Sequence, residues 1–428
     1  MALRLLKSIE SIQSYGEIKM ISSKLDTALQ NTLDELRAGG RDKGPEMIIE
    51  KVIRASGDRG PRYLVAGHGN REFIRMNANS YLGMTMVGEV IEAEEKAARE
   101  FGAGPGAVRF ISGTYRPHIE LEKKLARFHG RRAAMLFSSA YVTSLGVIFP
   151  LTTPETVIIS DELNHNCIIQ AMRLARPAAK LIYRHNDMQD LEAKLQDAVG
   201  KAGRCLVITD GIFSMRGDHA PLDELVSICR KYQDRFNEGV TTIADDSHGV
   251  GALGKTGRGT EEYTGARVDV LVGTLGKAFG VNGGYVTGST ALIEYLRESA
   301  PMYIYSNPIT CSEAAASLKA LEILDGPQGI QRLEHLYQMT KKFEKGLVDL
   351  GFETIPGDHP VVPLMVRDTP RTAAIVRWLT DNNVLATGLN FPVVPRGDEE
   401  IRFQVNADHT PVDIKYVLDV LKTFDPNR

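Results

Sequence analysis

Lys277 is the residue whose type and setting point most directly to covalent chemistry. It lies in the segment Gly273–Gly280, with the sequence Gly-Thr-Leu-Gly-Lys-Ala-Phe-Gly, directly after the run Val268–Val272. A lysine at the end of a buried strand loses its proton more easily, because desolvation disfavours the charged amine. The neutral amine is a nucleophile, so this segment favours Schiff-base chemistry. A lone Gly-Lys pair is more often a surface turn, and the accompanying motifs decide between the two interpretations.

Two further residues follow other apolar runs. Asp245 closes the run Thr241–Ala244, and His165 comes shortly after Val157–Ile159. A pyridine cofactor needs a carboxylate at its ring nitrogen, because the protonated ring is what makes it an electron sink. Asp245 could supply this carboxylate and His165 could cover one face of the ring. The alternatives are a solvated strand end and a histidine that merely begins a helix.

Three other positions suit the binding of anions. Ser138–Tyr141 follow a strand and enter a helix, so their free amides predict a phosphate site. Thr274, three residues before Lys277, adds a hydroxyl on the same loop. Arg402 could bind a substrate carboxylate through paired hydrogen bonds, although a single arginine is more often a surface residue.

A second motif, Gly249–Thr256, matches the Walker A pattern of nucleotide triphosphatases. A phosphate-binding loop needs a strand directly before it and a helix directly after it. Here Asp245–His248 separate the strand from the loop, and Gly257 and Gly259 stand where the helix should begin. We therefore expect a flexible loop at this position, and no ATP hydrolysis.

The elements that must position these residues follow from the hydrophobic pattern. Between about residues 130 and 290, short apolar runs alternate with amphipathic segments, which predicts an α/β fold with helices on both faces of a mostly parallel sheet. Ligands are expected at the carboxyl ends of its strands. The runs are Ala133–Phe137, Val157–Ile159, Lys180–Tyr183, Leu206–Thr209, Thr241–Ala244, Asp269–Val272 and Gly284–Thr287, and the helical candidates are 165–176, 187–199 and 221–234.

The two ends of the chain differ from this central pattern. Four leucines, Leu25, Leu29, Leu33 and Leu36, have helical spacing before the Gly39-Gly40 stop. After Pro308 a long helical stretch, interrupted near Gly326, precedes a strand, helix, strand, strand and helix. We predict an N-terminal arm (1–60), a large domain (61–305) with a seven-stranded sheet, and a smaller α+β C-terminal domain (306–428).

Composition excludes several other classes. The chain has 428 residues, 25% of them charged, and a net charge of −3, so no general attraction to nucleic acid or to anionic membranes is expected. No run is long enough for a membrane span. Glu10 interrupts the apolar start too early for a secretory signal, so the default expectation is the cytoplasm. The scattered cysteines lack zinc-site spacing and predict reduced thiols and no metal; they are Cys167, Cys205, Cys229 and Cys311.

Six short motifs of this chain form a specific combination: Asn79–Gly83, Val108–Thr114, Asn164–His165, Asp210–Met215, Ala244–Gly249 and Thr274–Lys277. As a set, they resemble the motifs of the α-oxoamine synthases, which are fold-type I pyridoxal phosphate enzymes. The resemblance covers roughly residues 70 to 425 in order and spacing.

The resemblance implies roles for the residues around the cofactor ring. Lys277 would form the Schiff base with pyridoxal 5'-phosphate, and Asp245 would pair with the pyridinium nitrogen. His165 would stack on the ring, while His248 and Ser214 would contact its phenolate oxygen. The catalytic residues implied are therefore Lys277, His165 and Asp245.

The resemblance also implies how the cofactor's phosphate is held. The amides of Ala140 and Tyr141, together with Thr274, would bind it. Ser306 of the second subunit would complete the site, because members of the family are homodimers with active sites at the interface.

For the substrates, the resemblance implies an amino acid and an acyl-coenzyme A thioester. Asn79 and Arg402 would orient the amino-acid carboxylate, Lys277 would remove the Cα proton, and His165 would assist the condensation that releases free coenzyme A. Segments 245–251 and 267–277 most resemble the glycine C-acetyltransferases, which favours glycine and a short acyl chain. Alanine-using 8-amino-7-oxononanoate synthases and serine palmitoyltransferases are alternatives, and a fold-type I aminotransferase or a noncatalytic binding protein are alternatives of another class.

Overall fold

The structure is a computed structural model that describes residues 23–39, 41–42, 44–391 and 393–425. The described residues fall into two units that divide between residues 48 and 49. In the first unit, helix α1 spans Ser23–Ala38 and has no buried residue; Leu25, Leu29 and Leu33 are exposed and Leu36 is partly buried. The helix predicted from the leucine spacing is thus confirmed. The initial segment, expected from its sequence not to be a targeting peptide, lies outside the described residues.

The second unit contains the other described helices, most of which begin at a polar capping residue. Ser139, for example, accepts a hydrogen bond from the Val142 amide at 3.2 Å and so begins helix α4. The helices are α2 (Gly88–Phe101), α3 (Arg116–Phe128), α4 (Ala140–Leu151), α5 (Asn166–Ala175), α6 (Met188–Ala198), α7 (Leu222–Lys231), α8 (Thr260–Thr264), α9 (Thr290–Ser299), α10 (Pro301–Ile304), α11 (Cys311–Leu324), α12 (Pro327–Asp349), α13 (Thr369–Asp381) and α14 (Pro411–Lys422).

The strands of the same unit are short, and most are rich in β-branched residues. They are β1 (Ile49–Ile53), β2 (Arg62–Val65), β3 (Ile74–Arg75), β4 (Ala133–Phe137), β5 (Thr156–Asp161), β6 (Ala179–Tyr183), β7 (Arg204–Asp210), β8 (Val240–Asp245), β9 (Val270–Thr274), β10 (Gly284–Gly288), β11 (Glu353–Thr354), β12 (Val361–Met365), β13 (Val384–Leu385), β14 (Thr387–Leu389) and β15 (Glu400–Gln404).

Within the described residues, β4 to β10 form one seven-stranded sheet in the order β4-β10-β9-β8-β7-β5-β6. Strand β10 is antiparallel to both of its neighbours, and β5 to β9 pair in parallel. Both faces are apolar: Val157 and Ile159 pack in one cluster, and Ile158 packs in another. Such burial on two faces is the reason that these strands appear in the sequence as near-continuous apolar runs. The predicted α/β fold and its mostly parallel sheet are confirmed.

The C-terminal region has a sheet of its own in the order β11-β12-β15-β14, and all of its pairs are antiparallel. The long helices α11 and α12 precede it, and Phe343 of α12 packs edge-on against Phe403 of β15. This matches the predicted long helical stretch and α+β ending. The boundaries placed at residues 60 and 305 remain a proposal.

In the part of the chain that the structure describes, no helix has both the length and the apolar character that crossing a bilayer requires. The four cysteines are free and buried.

Candidate active site

Most of the residues singled out in the sequence line a single cavity of about 290 Å³. It opens at the carboxyl ends of β5, β7, β8 and β9, the edge where a parallel sheet binds its ligands. The predicted residues in its lining are Ala140, Tyr141, His165, Ser214, Asp245, His248, Thr274 and Lys277, and the others are Cys167, Asp210, Ile212 and Ser247.

Asp245 is held by hydrogen bonds from two sides. Its Oδ2 accepts a hydrogen bond of 2.9 Å from Ser144 Oγ of α4, and its Oδ1 accepts one of 3.1 Å from the Ser247 amide. The Cys167 thiol lies 3.6 Å from the same Oδ2. Because β7 and β8 pair in register, Asp210 lies directly beside Asp245. The carboxylate is therefore buried, oriented and adjacent to a second acid.

Lys277 lies in the loop after β9 and is partly buried. Burial lowers the pKa of its amine, and the nearby Asp245 and Asp210 carboxylates oppose that shift. Among the described residues, none makes a hydrogen bond with the Lys277 amine. The amine is thus available as a nucleophile or base.

His165 forms the N-cap of α5. Its Nδ1 accepts a hydrogen bond of 3.2 Å from the Cys167 amide, and its own amide donates to Asp210 Oδ2 at 2.8 Å. A neutral ring therefore has its proton on Nε2. Although His165 is exposed to solvent, desolvation by the surrounding protein lowers the pKa of its ring; the Asp245 charge opposes that shift and Lys277 adds to it. At neutral pH, His165 is a neutral ring with a donor at Nε2.

Helix α4 begins at the cavity, directly after β4. Ala140 and Tyr141 line the cavity, and the first amides of a helix have no partner within that helix. A side chain at Gly284 would place its Cβ 2.4 Å from the Ala140 nitrogen, so only glycine permits this approach of β10. Thr274, paired with Gly284 in the sheet, adds its hydroxyl to the cavity.

His248 also lines the cavity, and contacts to both its ring and its backbone fix its position. Its Nδ1 lies 2.6 Å from Tyr81 Oη, and its carbonyl oxygen is 2.9 Å from His359 Nε2. Burial lowers the pKa of His248 well below its usual range, and the Lys277 charge acts in the same direction. The buried hydroxyl of Ser247 has no hydrogen-bond partner among the described residues.

The two predicted substrate-binding residues lie beside the cavity and contact each other. Arg402 Nη2 donates to Asn79 Oδ1 at 3.1 Å, and Tyr81 Oη lies 3.4 Å from the same oxygen. Since Tyr81 also contacts His248, this group is continuous with the cavity wall. Ser306 is not in the lining: its Oγ donates to the Asn307 carbonyl at 3.4 Å, and its neighbour Tyr305 is 79% exposed.

The Walker-like segment consists of turns, and it lies neither directly after a strand nor directly before a helix. The Glu262 carboxylate accepts hydrogen bonds from the Thr256 amide at 3.0 Å and from the Arg258 amide at 3.0 Å. The anion that these amides bind is thus a side chain of the same chain. The following helix α8 begins at Thr260 and has five residues. This segment does not have the geometry of a phosphate-binding loop.

Several residues of the site were not singled out in the sequence. Asp210 occurs in a quoted motif and ends a strand, so its strand-end position could have marked it. Tyr81 also lies in a quoted motif, but not at a strand end, and Ser144, Cys167 and His359 lie in none of the motifs. These four residues reach the site only through tertiary contacts.

The sheet order and the lysine at its carboxyl edge define an enzyme of fold-type I. A family model described as "Aminotransferase class I and II" matches residues 71–421. The chain is 38% identical to the 8-amino-7-oxononanoate synthase of Thermosipho melanesiensis, over 82% of this chain and 87% of that protein. It is also 38% identical to the human mitochondrial 2-amino-3-ketobutyrate coenzyme A ligase, over 92% and 90% of the two chains.

Among solved structures, a serine palmitoyltransferase from S. paucimobilis with PLP and myriocin bound superposes with a TM-score of 0.83. It is 27% identical, and the match covers 94% of this chain and 98% of that one. The chain therefore belongs to the class I and II aminotransferase family and, within it, to the α-oxoamine synthases.

Proposed function

We propose that this chain is a pyridoxal phosphate-dependent acyltransferase that joins a small amino acid, with glycine favoured, to the acyl group of an acyl-coenzyme A and releases free coenzyme A. The observation that supports this most directly is the presence of Lys277 and Asp245 in one cavity. The names of the relatives support the reaction class, since they are synthases and ligases of this kind.

The residues of the cavity fit the cofactor. Asp245 is an oriented carboxylate for the ring nitrogen, and the free amides at the start of α4 suit a phosphate. The unpartnered Ser247 hydroxyl leaves hydrogen-bonding capacity that a bound polar group can use. Lys277 would hold the cofactor covalently, His165 would stack on its ring, and His248 and Ser214 would contact its phenolate oxygen.

When bound, the cofactor supplies an electron sink for the charge that develops at the amino acid's α-carbon. The chain's own residues move the proton and bind the two substrates. The Lys277 amine, whose pKa burial lowers, accepts the Cα proton. His165, with its proton on Nε2, donates a hydrogen bond to the thioester carbonyl. Arg402 and Asn79 hold the amino-acid carboxylate.

We also propose a homodimer in which Ser306 of each subunit completes the phosphate site of the other. The exposed Tyr305 and the absence of Ser306 from its own chain's cavity lining support this arrangement. The cytoplasmic location expected from the sequence is likewise a proposal.

The preferred amino acid and acyl chain are the finer part of the proposal. Relatives with about equal identity carry the names of two different reactions, so identity alone does not separate glycine from alanine. An aminotransferase is the second candidate, because the matching family model bears that description.

The test is a matrix of glycine, alanine and serine against acyl-coenzyme A thioesters of rising chain length, followed by thiol release. An acyltransferase releases free coenzyme A only when both substrates are present, whereas an aminotransferase releases a keto acid and no thiol. No thiol release with any pair would contradict the proposal.

A pair of lysine variants tests the covalent attachment. Lys277→Ala should abolish the visible absorption band and the peptide label left by borohydride reduction. Lys255→Ala is the matched control, because Lys255 is an exposed lysine of the Walker-like turn. A borohydride label at any position other than 277 would contradict the assignment.

A further inference from the structure

Strand β15 presents a row of polar side chains on one face. Glu400, Arg402 and Gln404 alternate along the strand with Ile401 and Phe403, which are buried in the core. A strand of this kind places residues two apart on the same side. Glu400 is therefore the neighbour of Arg402 on the face that contacts Asn79.

Among the described residues, the hydrogen-bond partners of Arg402 on this face are neutral. Besides Asn79 Oδ1, the Gln404 side-chain oxygen accepts from Arg402 Nη1 at 2.5 Å in the amide orientation that satisfies its neighbours. The nearby Tyr81 is neutral, because burial raises the pKa of its hydroxyl. Burial lowers the pKa of Arg402 itself. A desolvated guanidinium with neutral partners is strongly stabilised when an anion binds to it.

The acid beside Arg402 on its own strand is Glu400, which is only 2% exposed. Among the described residues, its Oε1 has no hydrogen-bond partner and Glu400 forms no ion pair with Arg402. Desolvation raises the pKa of Glu400 to about 8, against the opposing charges of Arg402 and Arg216.

The other groups around Glu400 do not replace Arg402 as its partner. Arg216, on the loop after β7, pairs with Asp218 at 2.9 Å. Asp398, in the preceding turn, and Asp218 are acids that disfavour a further negative charge. The neighbouring strands place the apolar Met365 and Leu389 opposite Glu400.

We propose that Glu400 is a positioning residue that acts through Arg402 as its proton-controlled counter-ion: as a neutral acid it leaves Arg402 free for a substrate carboxylate, and as a carboxylate it competes with that substrate. This inference rests on the proposed role of Arg402 in binding the amino-acid carboxylate. Glu400 is not among the catalytic or binding residues of the proposed reaction.

Binding and protonation are consequently linked. A substrate carboxylate at Arg402 is a second negative charge near Glu400 and favours the protonated acid. Ligand binding near pH 8 therefore takes up part of a proton, and affinity falls as pH rises through the pKa of Glu400. If the ionised form of Glu400 excludes the ligand completely, the affinity falls about tenfold for each pH unit above this pKa.

The experiment measures the dissociation constant of glycolate for the holoenzyme between pH 6.5 and pH 9.5 by calorimetry. Glycolate has the carboxylate of glycine but no amine, so the titration of the amine and the reaction at Lys277 do not contribute. For the wild-type protein, we expect constant affinity up to about pH 7.5 and a loss of about tenfold by pH 9. Calorimetry at pH 8 in buffers of different ionisation enthalpy should show proton uptake.

Two variants distinguish the ionisation of Glu400 from other causes of a pH-dependent affinity. Glu400→Gln keeps the shape but does not ionise, so its glycolate affinity should change less than about twofold over this range. Glu399→Gln is the matched control: Glu399 is also buried, but its oxygens accept hydrogen bonds from the Gly397 amide and from Thr369. It should keep the wild-type pH dependence.

A flat glycolate affinity in the wild-type protein, or an equal pH dependence in Glu400→Gln, would overturn this inference. If thiol release from glycine and acyl-coenzyme A is still observed, the proposed function stands while the role of Glu400 fails. If neither glycine nor glycolate binds and no thiol is released, the proposed function itself has failed.

Discussion

Asp210 and Asp245 lie side by side in register at the ends of β7 and β8, and they contact different parts of the site. Asp245 accepts hydrogen bonds from the Ser144 hydroxyl and the Ser247 amide, whereas Asp210 accepts one from the backbone amide of His165. Burial raises the pKa of Asp210 well above its usual range, and the charge of Asp245 adds to this shift. Two like acids at one edge thus hold different hydrogen-bond partners and serve different parts of the site.

The first prediction separates these two acids. Asp245→Asn should retain the cofactor but lower the rate of thiol release by about two orders of magnitude or more, because an amide does not stabilise a positive ring nitrogen as a carboxylate does. Asp210→Asn is the control and should cost less than about tenfold, since burial already raises the pKa of Asp210 and the asparagine oxygen can still accept the hydrogen bond of the His165 amide. Near-normal turnover in Asp245→Asn would count against the assignment of this residue.

The second prediction concerns the hydrogen bond that orients Asp245. Ser144→Ala removes a donor 2.9 Å from its Oδ2, and hydrogen bonds to charged groups contribute about 1.5–3 kcal/mol. We expect the cofactor dissociation constant to rise about tenfold or more, measured by equilibrium dialysis. Ser317→Ala is the matched control, because the buried Ser317 hydroxyl has no partner among the described residues. Equal cofactor affinities in the two variants would contradict the role of Ser144.

The third prediction tests the close approach of β10 to the start of α4. Gly284→Ala places a Cβ 2.4 Å from the Ala140 nitrogen, and overpacking of this kind costs about 1–3 kcal/mol. Cofactor affinity and the thermal midpoint should both fall. Gly88→Ala, at the first residue of α2 where a Cβ meets nothing within 4 Å, should leave both unchanged or slightly raise the midpoint. A fully stable, cofactor-saturated Gly284→Ala variant would refute this account of the anion site.

The fourth prediction concerns pH and stability. His185 lies 3.1 Å from Asp161 and 3.1 Å from Asp218, and these hydrogen bonds, although opposed by burial, raise its pKa to about 9. Because the pKa is higher in the folded state than the ordinary 6.5, the stabilisation is complete below pH 6.5 and disappears as pH rises through 9. Because solvent screens part of this interaction, we expect His185 to contribute roughly 1–2 kcal/mol to the free energy of unfolding at pH 6.

Chemical denaturation of the wild-type protein and of His185→Gln at pH 6, 7.5 and 9.5 checks this prediction. The difference in the free energy of unfolding between the two proteins should be largest at pH 6 and smallest at pH 9.5. A difference that is constant with pH would show that His185 acts through packing alone.

Much of the fold was predictable because local pattern and tertiary structure agree. The seven apolar runs all became strands of one sheet, since a parallel sheet buried on both faces requires such runs. The helix from Ser23 to Ala38 followed from leucine spacing alone. Strand ends were predicted one or two residues short, as at Asp161 and Asp210, because polar side chains at the carboxyl edge remain in the hydrogen-bonded ladder.

Part of the site was predictable for a related reason. Lys277, Asp245 and Thr274 lie at or just after strand ends, and parallel strands bring such ends to one edge. Ser144 and Tyr81 were not predictable from this rule. They reach the site across an element boundary, and no local spacing records which strand a helix or loop will contact.

By itself, the sequence determined the order of the elements, the sheet edge at which chemistry is possible and the lysine that is suited to it, because these depend on hydrophobic periodicity and residue type. Only the tertiary structure decided which acids have a raised pKa, which hydrogen bonds orient Asp245 and His165, and that Glu400 is buried beside Arg402 with its Oε1 unpaired among the described residues. The reason is physical: charge state and hydrogen bonding depend on burial and on neighbours that are distant in the chain.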